Sequence, residues 1–297
     1  MSYGFMEIDH LLASGDPQIG GAQYERLGFT VTPISVIENL GVANRLILMK
    51  PLTAGTANFF ECMGITNPVR AARNPMGALL AGAPGVRSMV LSGADALGSY
   101  ESLARDGFPF ARPLDIEREW TLPDGEVLKP AFRVTLPVGE PLRFNFCQYR
   151  TLQHYVREAW LKHENGALHM TKVFAIAADP AAVCRYYERV FGRAAHREHD
   201  LYAVGPGKCE LHVGNGSQLA NVLPAHWIPA NAGAGRYVGF EVQFGSLEAV
   251  RGLLIARGVE FLEEREALVV APHEACGNVL RFVEHGGPHI PLFRRAL

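Results

Sequence analysis

Two residues early in the chain have the chemistry of a site. His10 stands in the apolar run of residues 5–13, and Glu61 stands within Phe59-Phe60-Glu61-Cys62-Met63. Short apolar runs bounded by Gly and Pro signals read as buried strands, and a buried carboxylate needs a hydrogen-bonding partner or a metal. An imidazole and a carboxylate on neighbouring strands can begin a site for divalent Zn, Fe, Mn or Ni; a purely structural, hydrogen-bonded pair is the alternative. Gln148, near the end of a later strand candidate, would add a third ligand or a hydrogen bond to substrate. Arg45 lies in the strand-like stretch Asn44-Arg45-Leu46. Turned inward, its guanidinium would clamp a carboxylate or carbonyl; turned outward, it meets solvent. Side chains alternate along a strand, so only one of Asn44 and Arg45 can reach a common pocket.

The remaining titratable clusters read more plainly. His154, His163 and His169 surround residues 151–166, where a crossing loop would act as a lid or supply an acid or base, though partly exposed linker histidines are the simpler reading. His196, His199, Asp200 and His212 fit no zinc spacing and read as a solvated turn before a strand. Glu241 and Gln243 alternate with Phe240 and Val242, which reads as a solvent-facing or interfacial pair. Gly205-Pro206-Gly207-Lys208 lacks the spacing of a phosphate loop, and no Gly-x-Ser-x-Gly elbow or nucleophilic cysteine motif is present.

The elements that must position these residues recur. Residues 5–13 read as a strand, Asp16-Pro17 opens a helix that stops at Gly28, and three extended stretches follow (30–36, 43–49, 57–65). The same order returns with a strand at 86–92, a cap at Asp95 and a helix end at Gly107. It returns again at 170–177 with Asp179-Pro180, where Tyr187-Glu188-Arg189 matches Tyr24-Glu25-Arg26. A diverged fourth copy runs from 237 through a helix capped by Ser246 to 279–284. This is an α+β chain of four βαβββ modules, and modules this short must pair to share a core. Residues 1–150 would form the first domain, 151–166 a partly helical connector, and 167–297 the second domain.

Paired βαβββ modules with Ile8-Asp9-His10, Tyr24-Glu25-Arg26-Leu27-Gly28-Phe29, Gly41-Val42-Ala43-Asn44-Arg45-Leu46 before Phe59-Phe60-Glu61, and Trp160-Leu161-Lys162-His163-Glu164-Asn165-Gly166-Ala167 resemble the vicinal oxygen chelate superfamily, and within it the glyoxalase-like domain family, over about residues 5–190. The resemblance implies the glyoxalase/bleomycin-resistance/extradiol dioxygenase fold: each pair of modules a curved mixed sheet with helices outside, its cup holding a divalent metal ligated from first and last strands. It implies a small-molecule ligand and, by analogy, a homodimer. His10 falls at the first-strand ligand position, six residues before Asp16. The same count from Asp95, Asp179 and Ser246 gives Met89, Val173 and Phe240, and Arg281 stands where a metal-binding relative carries Glu.

Three functions follow from the resemblance. The first is a metal-assisted lyase or isomerase acting on a small carbonyl or oxygen-rich metabolite, with His10 and Glu61 as ligands, Glu61 catalytic, and Arg45 and Gln148 binding substrate. The second is a metal-free binding or sequestering protein. The third, an extradiol-type dioxygenase, ranks below them because one histidine is placed where two are needed. Superfamily membership alone does not choose among them.

Composition bounds the setting. The 297 residues are 48% hydrophobic and 20% charged with a net charge of -2, which gives neither a nucleic-acid tract nor a polybasic membrane patch. Five scattered cysteines without a C-x-x-C pair read as free thiols in a reducing compartment. No apolar run approaches the roughly 20 residues of a membrane helix, and the N-terminus lacks a signal pattern. A cytoplasmic location is expected.

Overall fold

Each repeated helix starts where its cap residue stands. A computed structural model, which describes residues 3–138, 142–230, 233, 235–264 and 266–286, shows Asp16 accepting from the amides of Gln18 and Ile19 at the start of α1 (Pro17–Arg26). Asp95 accepts from Gly98 at α4 (Ala96–Arg105), Asp179 from Ala182 at α5 (Pro180–Phe191), and Ser246 from Ala249 at α7 (Leu247–Ala256). Each cap satisfies an orphan N–H of the first turn, a contribution of about 1 kcal/mol.

The first sheet is built from β1 (Phe5–Ser14), β2 (Ser35–Ile37), β3 (Val42–Leu48), β4 (Phe59–Ile65), β5 (Gly85–Gly93), β6 (Leu114–Glu117), β9 (Ala131–Val134) and β10 (Phe144–Tyr149), in the order β2-β3-β4-β1-β5-β10-β9-β6. The ribbon β7 (Trp120–Thr121) with β8 (Val127–Leu128) stands apart, and two short helices, α2 (Pro68–Ala71) and α3 (Pro75–Leu79), join the modules. The second sheet repeats the plan: β11 (Ala167–Ile176), β12 (His196–Glu198), β13 (Leu201–Val204), β14 (Glu210–Gly214), β15 (Arg236–Phe244), β16 (Phe261–Glu264), β17 (Ala267–Val270) and β18 (Val279–Glu284) run in the order β12-β13-β14-β11-β15-β18-β17-β16, with the short α6 (Gly216–Leu219) after β14. In both sheets the first strand pairs parallel with the fourth of its module and antiparallel with the first strand of the next. Residues 287–297, the tail of the second expected domain, lie outside the described residues.

The two sheets meet through their outer faces. Leu11, Phe60, Met89 and Phe144 from one sheet join Val173, Leu211, Phe240 and Phe282 from the other in a single buried cluster. Phe60 stacks on Phe240 at 5.1 Å between ring centroids, and Tyr24 of α1 stacks on Phe60 at 4.9 Å. Polar groups cross the same junction: the Asn58 side chain pairs with both the N–H and the C=O of Met170, and Glu7, fully buried, accepts from the amides of Lys208 and Cys209. With their outer faces occupied, the two cups open in opposite directions.

Several expectations needed correction. The stretch 30–36 supplies strand only from Ser35, and the connector holds two 3-10 turns, Leu152–His154 and Glu158–Trp160, instead of one helix. His199 and Asp200 form the expected turn, just before β13, but His196 lies on β12 and His212 on β14, where His212 is buried.

Candidate active site

A bulge in β1 aims the central histidine. Ile8 pairs with Leu91 and His10 with Val90, so two residues of β1 span one step of β5 and Asp9 is the extra residue. Ile8 and Leu11 go to the shared core, while His10 turns into the first cup with Leu12. Asp9, fully buried, accepts from His10 Nδ1 at 2.8 Å, from the Tyr149 hydroxyl at 2.6 Å and from the Ala57 amide at 2.8 Å. That arrangement fixes the tautomer: Nδ1 donates to Asp9, and the Nε2 lone pair faces the cup. Phe59 stacks on the imidazole at 4.0 Å and 12° and sets its plane.

Glu61 faces His10 from β4. Its Oε1 accepts from Asn44 Nδ2 at 2.5 Å, and its Oε2 lies 3.9 Å from His10 Nε2. That separation is too long for a hydrogen bond and suits one bridging atom bound to both. Asn44 Oδ1, buried beside them, has no hydrogen-bond partner among the described residues. Imidazole nitrogen, carboxylate oxygen and amide oxygen form a donor set compatible with a divalent ion of the Zn or Mn kind, whose bonds to such atoms are about 2.0–2.2 Å. The fit is partial, since the facing strands contribute Val90, Asn145 and Cys147 to the wall, with no second imidazole.

The surrounding cavity is about 400 Å³ and mostly apolar, lined by Leu12, Leu46, Met63, Met76, Phe132 and Val134. Burial, with Asp9 beside it, raises the Tyr149 hydroxyl well above its ordinary range, so it stays a proton donor to Asp9. Burial likewise raises the Cys147 thiol well above its usual value, which leaves it protonated and unsuited to nucleophilic attack. The connector crosses the rim through Tyr155, which packs 6.2 Å from Phe59, while Trp160 packs on Trp120 at 5.2 Å.

Two expected substrate contacts point elsewhere. Arg45 lies on the outer face of β3, where it donates to the Thr32 carbonyl and to Glu25 and lies across Gly21 of α1; alternation gives the cup to Asn44. Gln148 falls on the outer face of β10 between Cys147 and Tyr149. Its amide donates to the Ala94 carbonyl and accepts from the Ala96 amide, closing the turn into α4. His163 and His169 are struts: His163 takes the Thr30 amide on Nδ1 and faces the Leu48 carbonyl with Nε2, and His169 faces the Lys50 carbonyl. Asp9, Asn44, Tyr149 and Tyr155 are the site residues that sequence reasoning did not assign. The signal for Asp9 was its place one residue before a strand histidine.

Strand pairing also corrects the comparison among repeats. A bulge at Thr171 in β11 places Lys172 against Glu210 and Glu241, as the bulge at Asp9 places His10 against Phe59 and Val90. The register counterpart of His10 is therefore Lys172, and that of Glu61 is His212. The turn into α5 is one residue longer than the turn into α1, which is why counting from the caps reached Val173. Met89, Val173 and Phe240 all belong to the shared core. Glu241 is buried in the second cup, bonded to Thr171 and paired with Lys172 and Arg281, and is neither solvent-facing nor interfacial.

A model of the glyoxalase-like domain matches residues 8–191. No curated protein sequence matches the chain. Among solved structures, a hypothetical protein from Staphylococcus aureus is 11% identical, with a TM-score of 0.62 over 93% of this chain and 98% of its own. A mutant of 4-hydroxymandelate synthase from Streptomyces coelicolor, also 11% identical, gives a TM-score of 0.59 over 97% of this chain and 94% of its own. At these identities the likeness concerns the fold. Among the described residues no helix is long and apolar enough to cross a membrane.

Proposed function

Taking as premise that this chain belongs to the glyoxalase-like domain family, within the vicinal oxygen chelate superfamily, we propose that its first cup is the active site of an enzyme that moves a proton beside a carbonyl of a small, largely apolar metabolite. The observation that carries this reading is the pair His10 Nε2 and Glu61 Oε2, facing each other at 3.9 Å at the base of the cavity, with Asp9 locking the imidazole from behind. His10 and Glu61, with Asn44 Oδ1 beside them, would hold a divalent ion of the Zn, Fe, Mn or Ni class. When bound, such an ion supplies Lewis acidity to a substrate oxygen. Asn44 orients the Glu61 carboxylate, Glu61 takes or returns the proton on the carboxylate oxygen that the ion would leave free, the apolar wall excludes water, and Tyr155 narrows the rim. Arg45 and Gln148 have no part in it.

The test uses untagged protein loaded in turn with each of the four metals and incubated in D2O with a panel of small ketones and hydroxy-carbonyls. Exchange of the carbon-bound hydrogen next to the carbonyl, followed by NMR and lost in Glu61→Gln, supports the reading. A panel member that stabilises the fold but exchanges no hydrogen with any metal moves the protein to a second reading, metal-free binding. Val90 and Asn145 on the facing strands, in place of further ligands, favour that alternative. An extradiol-type dioxygenase is disfavoured because His10 is the one imidazole among the described residues that line this cup.

A further inference from the structure

The second cup carries a cluster of ligating side chains outside the position of the first-cup pair. His196 and Glu198 lie on the edge strand β12, and Glu210 and His212 lie on β14, two strands away. His196 pairs with Ala203 and Ala203 pairs with His212, so the two imidazoles flank a methyl group on the strand between them. Three distances close the cluster: Glu210 Oε2 is 3.8 Å from His196 Nε2 and 3.6 Å from His212 Nε2, and Glu198 Oε2 is 4.0 Å from His212 Nε2. The candidate donor atoms of His196, Glu198 and Glu210 all lie within 4.8 Å of one another. His212, 1% exposed, has its Nε2 buried without a hydrogen-bond partner among the described residues.

We propose that His196, Glu198, Glu210 and His212 form a binding site for a transition-metal ion of the Zn(II) class, which fastens β12 across β13 to β14. Two imidazoles and two carboxylates are the donor set of such an ion, whereas Ca(II) and Mg(II) take oxygen alone. Tetrahedral bonds of about 2.0–2.2 Å place ligand atoms about 3.4 Å apart, so the pairs at 3.6–4.0 Å need to close by a few tenths of an ångström, and the wider pairs, up to 4.8 Å within the set His196, Glu198 and Glu210, by up to about 1.4 Å. Lys172 supports the arrangement: its ammonium holds Glu198 Oε1 at 2.7 Å, leaving Oε2 facing His212. The charges also suit a dication. The second cup is lined by five glutamates against three basic residues, Lys172, Lys208 and Arg281. The half-exposed His196 gives an ion a route in from solvent.

The experiment titrates chelator-treated, untagged full-length chain with Co(II) and then Zn(II), following the visible absorption of tetrahedral Co(II) and its displacement. His10→Ala/Glu61→Gln removes the first-cup pair, so any ion it still binds belongs to the second cup. The expected result is one equivalent bound by that variant with the tetrahedral spectrum. Adding His212→Ala or Glu210→Gln should weaken it by more than about a hundredfold, beyond the roughly 10–100-fold that removing a supporting hydrogen bond costs. Should His212→Ala fail to fold, His196→Ala decides in its place, because His196 is half exposed. Unchanged binding in that variant, or absence of the equivalent from His10→Ala/Glu61→Gln, overturns the proposal. Failure of the first-cup reading alone would show as wild-type metal content in His10→Ala/Glu61→Gln.

Discussion

Lys172 occupies in the second sheet the register position that His10 occupies in the first, and its ammonium lies 2.7 Å from Glu198 and 3.7 Å from Glu241. The floor of the second cup thus contains its own cation where the first presents an imidazole. Lys172→Met should cost about 1–3 kcal/mol in urea unfolding, because it strands carboxylates that are largely buried. Adding Glu241→Gln should recover part of that loss, and a simple sum of the two single effects would remove the coupling.

Asp9 serves three donors at once. Asp9→Asn forces an amide NH2 against one of them, so a loss of about 1–3 kcal/mol is expected. If the proposed ion is present, its affinity in the first cup should also fall by about 10–100-fold. Calorimetric metal titration beside denaturant unfolding separates the two effects, and unchanged values in both would contradict the geometry.

Neighbours on β3 should behave oppositely. Arg45→Met is expected to lower stability by about 1 kcal/mol through its lost contacts with Thr32 and Glu25, leaving ligand and metal binding in the cup unaltered. Asn44→Leu should instead change first-cup metal affinity, because it releases the Glu61 carboxylate. Thermal unfolding and metal titration of both variants check the assignment of faces.

His163 sets a pH window. Burial holds its imidazole down at about 4, against an ordinary value near 6.5. With the folded value depressed, the unfolded chain binds the proton first, so stability is complete above pH 6.5 and declines as pH falls toward 4. The loss approaches about 3 kcal/mol at most. His163→Gln should flatten the urea midpoint across that range, and an equally steep profile in the variant would place the dependence on other groups.

Gly20 is required for close approach. A Cβ there would come within 2.4 Å of the Cys62 sulfur, where α1 lies against β4. Gly20→Ala should cost about 1–3 kcal/mol by overpacking, and Cys62→Ala in the same chain should relieve most of it. A Gly20→Ala chain as stable as the parent would mean that the helix moves freely.

The fold was legible because its signals are local. Asp16, Asp95, Asp179 and Ser246 each cap a helix by their own chemistry, whatever lies around them. The facing of individual side chains was harder to read, because it depends on single-residue irregularities. One bulge at Asp9 places His10 in the cup, and one extra residue before Asp179 moves the equivalent position from Val173 to Lys172. Neither event changes hydrophobic periodicity enough to be seen. Arg45 and Gln148 were misplaced for a related reason: alternation tells which residues share a face, but not which face is the cup. His212 was grouped with His196 but read as part of a solvated turn, because its burial and its approach to β12 across β13 leave no trace in spacing along the chain.

The back-to-back arrangement has a consequence for how such a chain can change over evolutionary time. Phe60 and Phe240, Asn58 and Met170, and Glu7 with the Lys208 and Cys209 amides each bind one half to the other, so substitutions along that seam must be matched in both halves. The cups face away from it. Either floor can be rewritten, as His10 and Lys172 have been, without a compensating change in its twin, so one duplicated scaffold can carry two independently evolving chemistries.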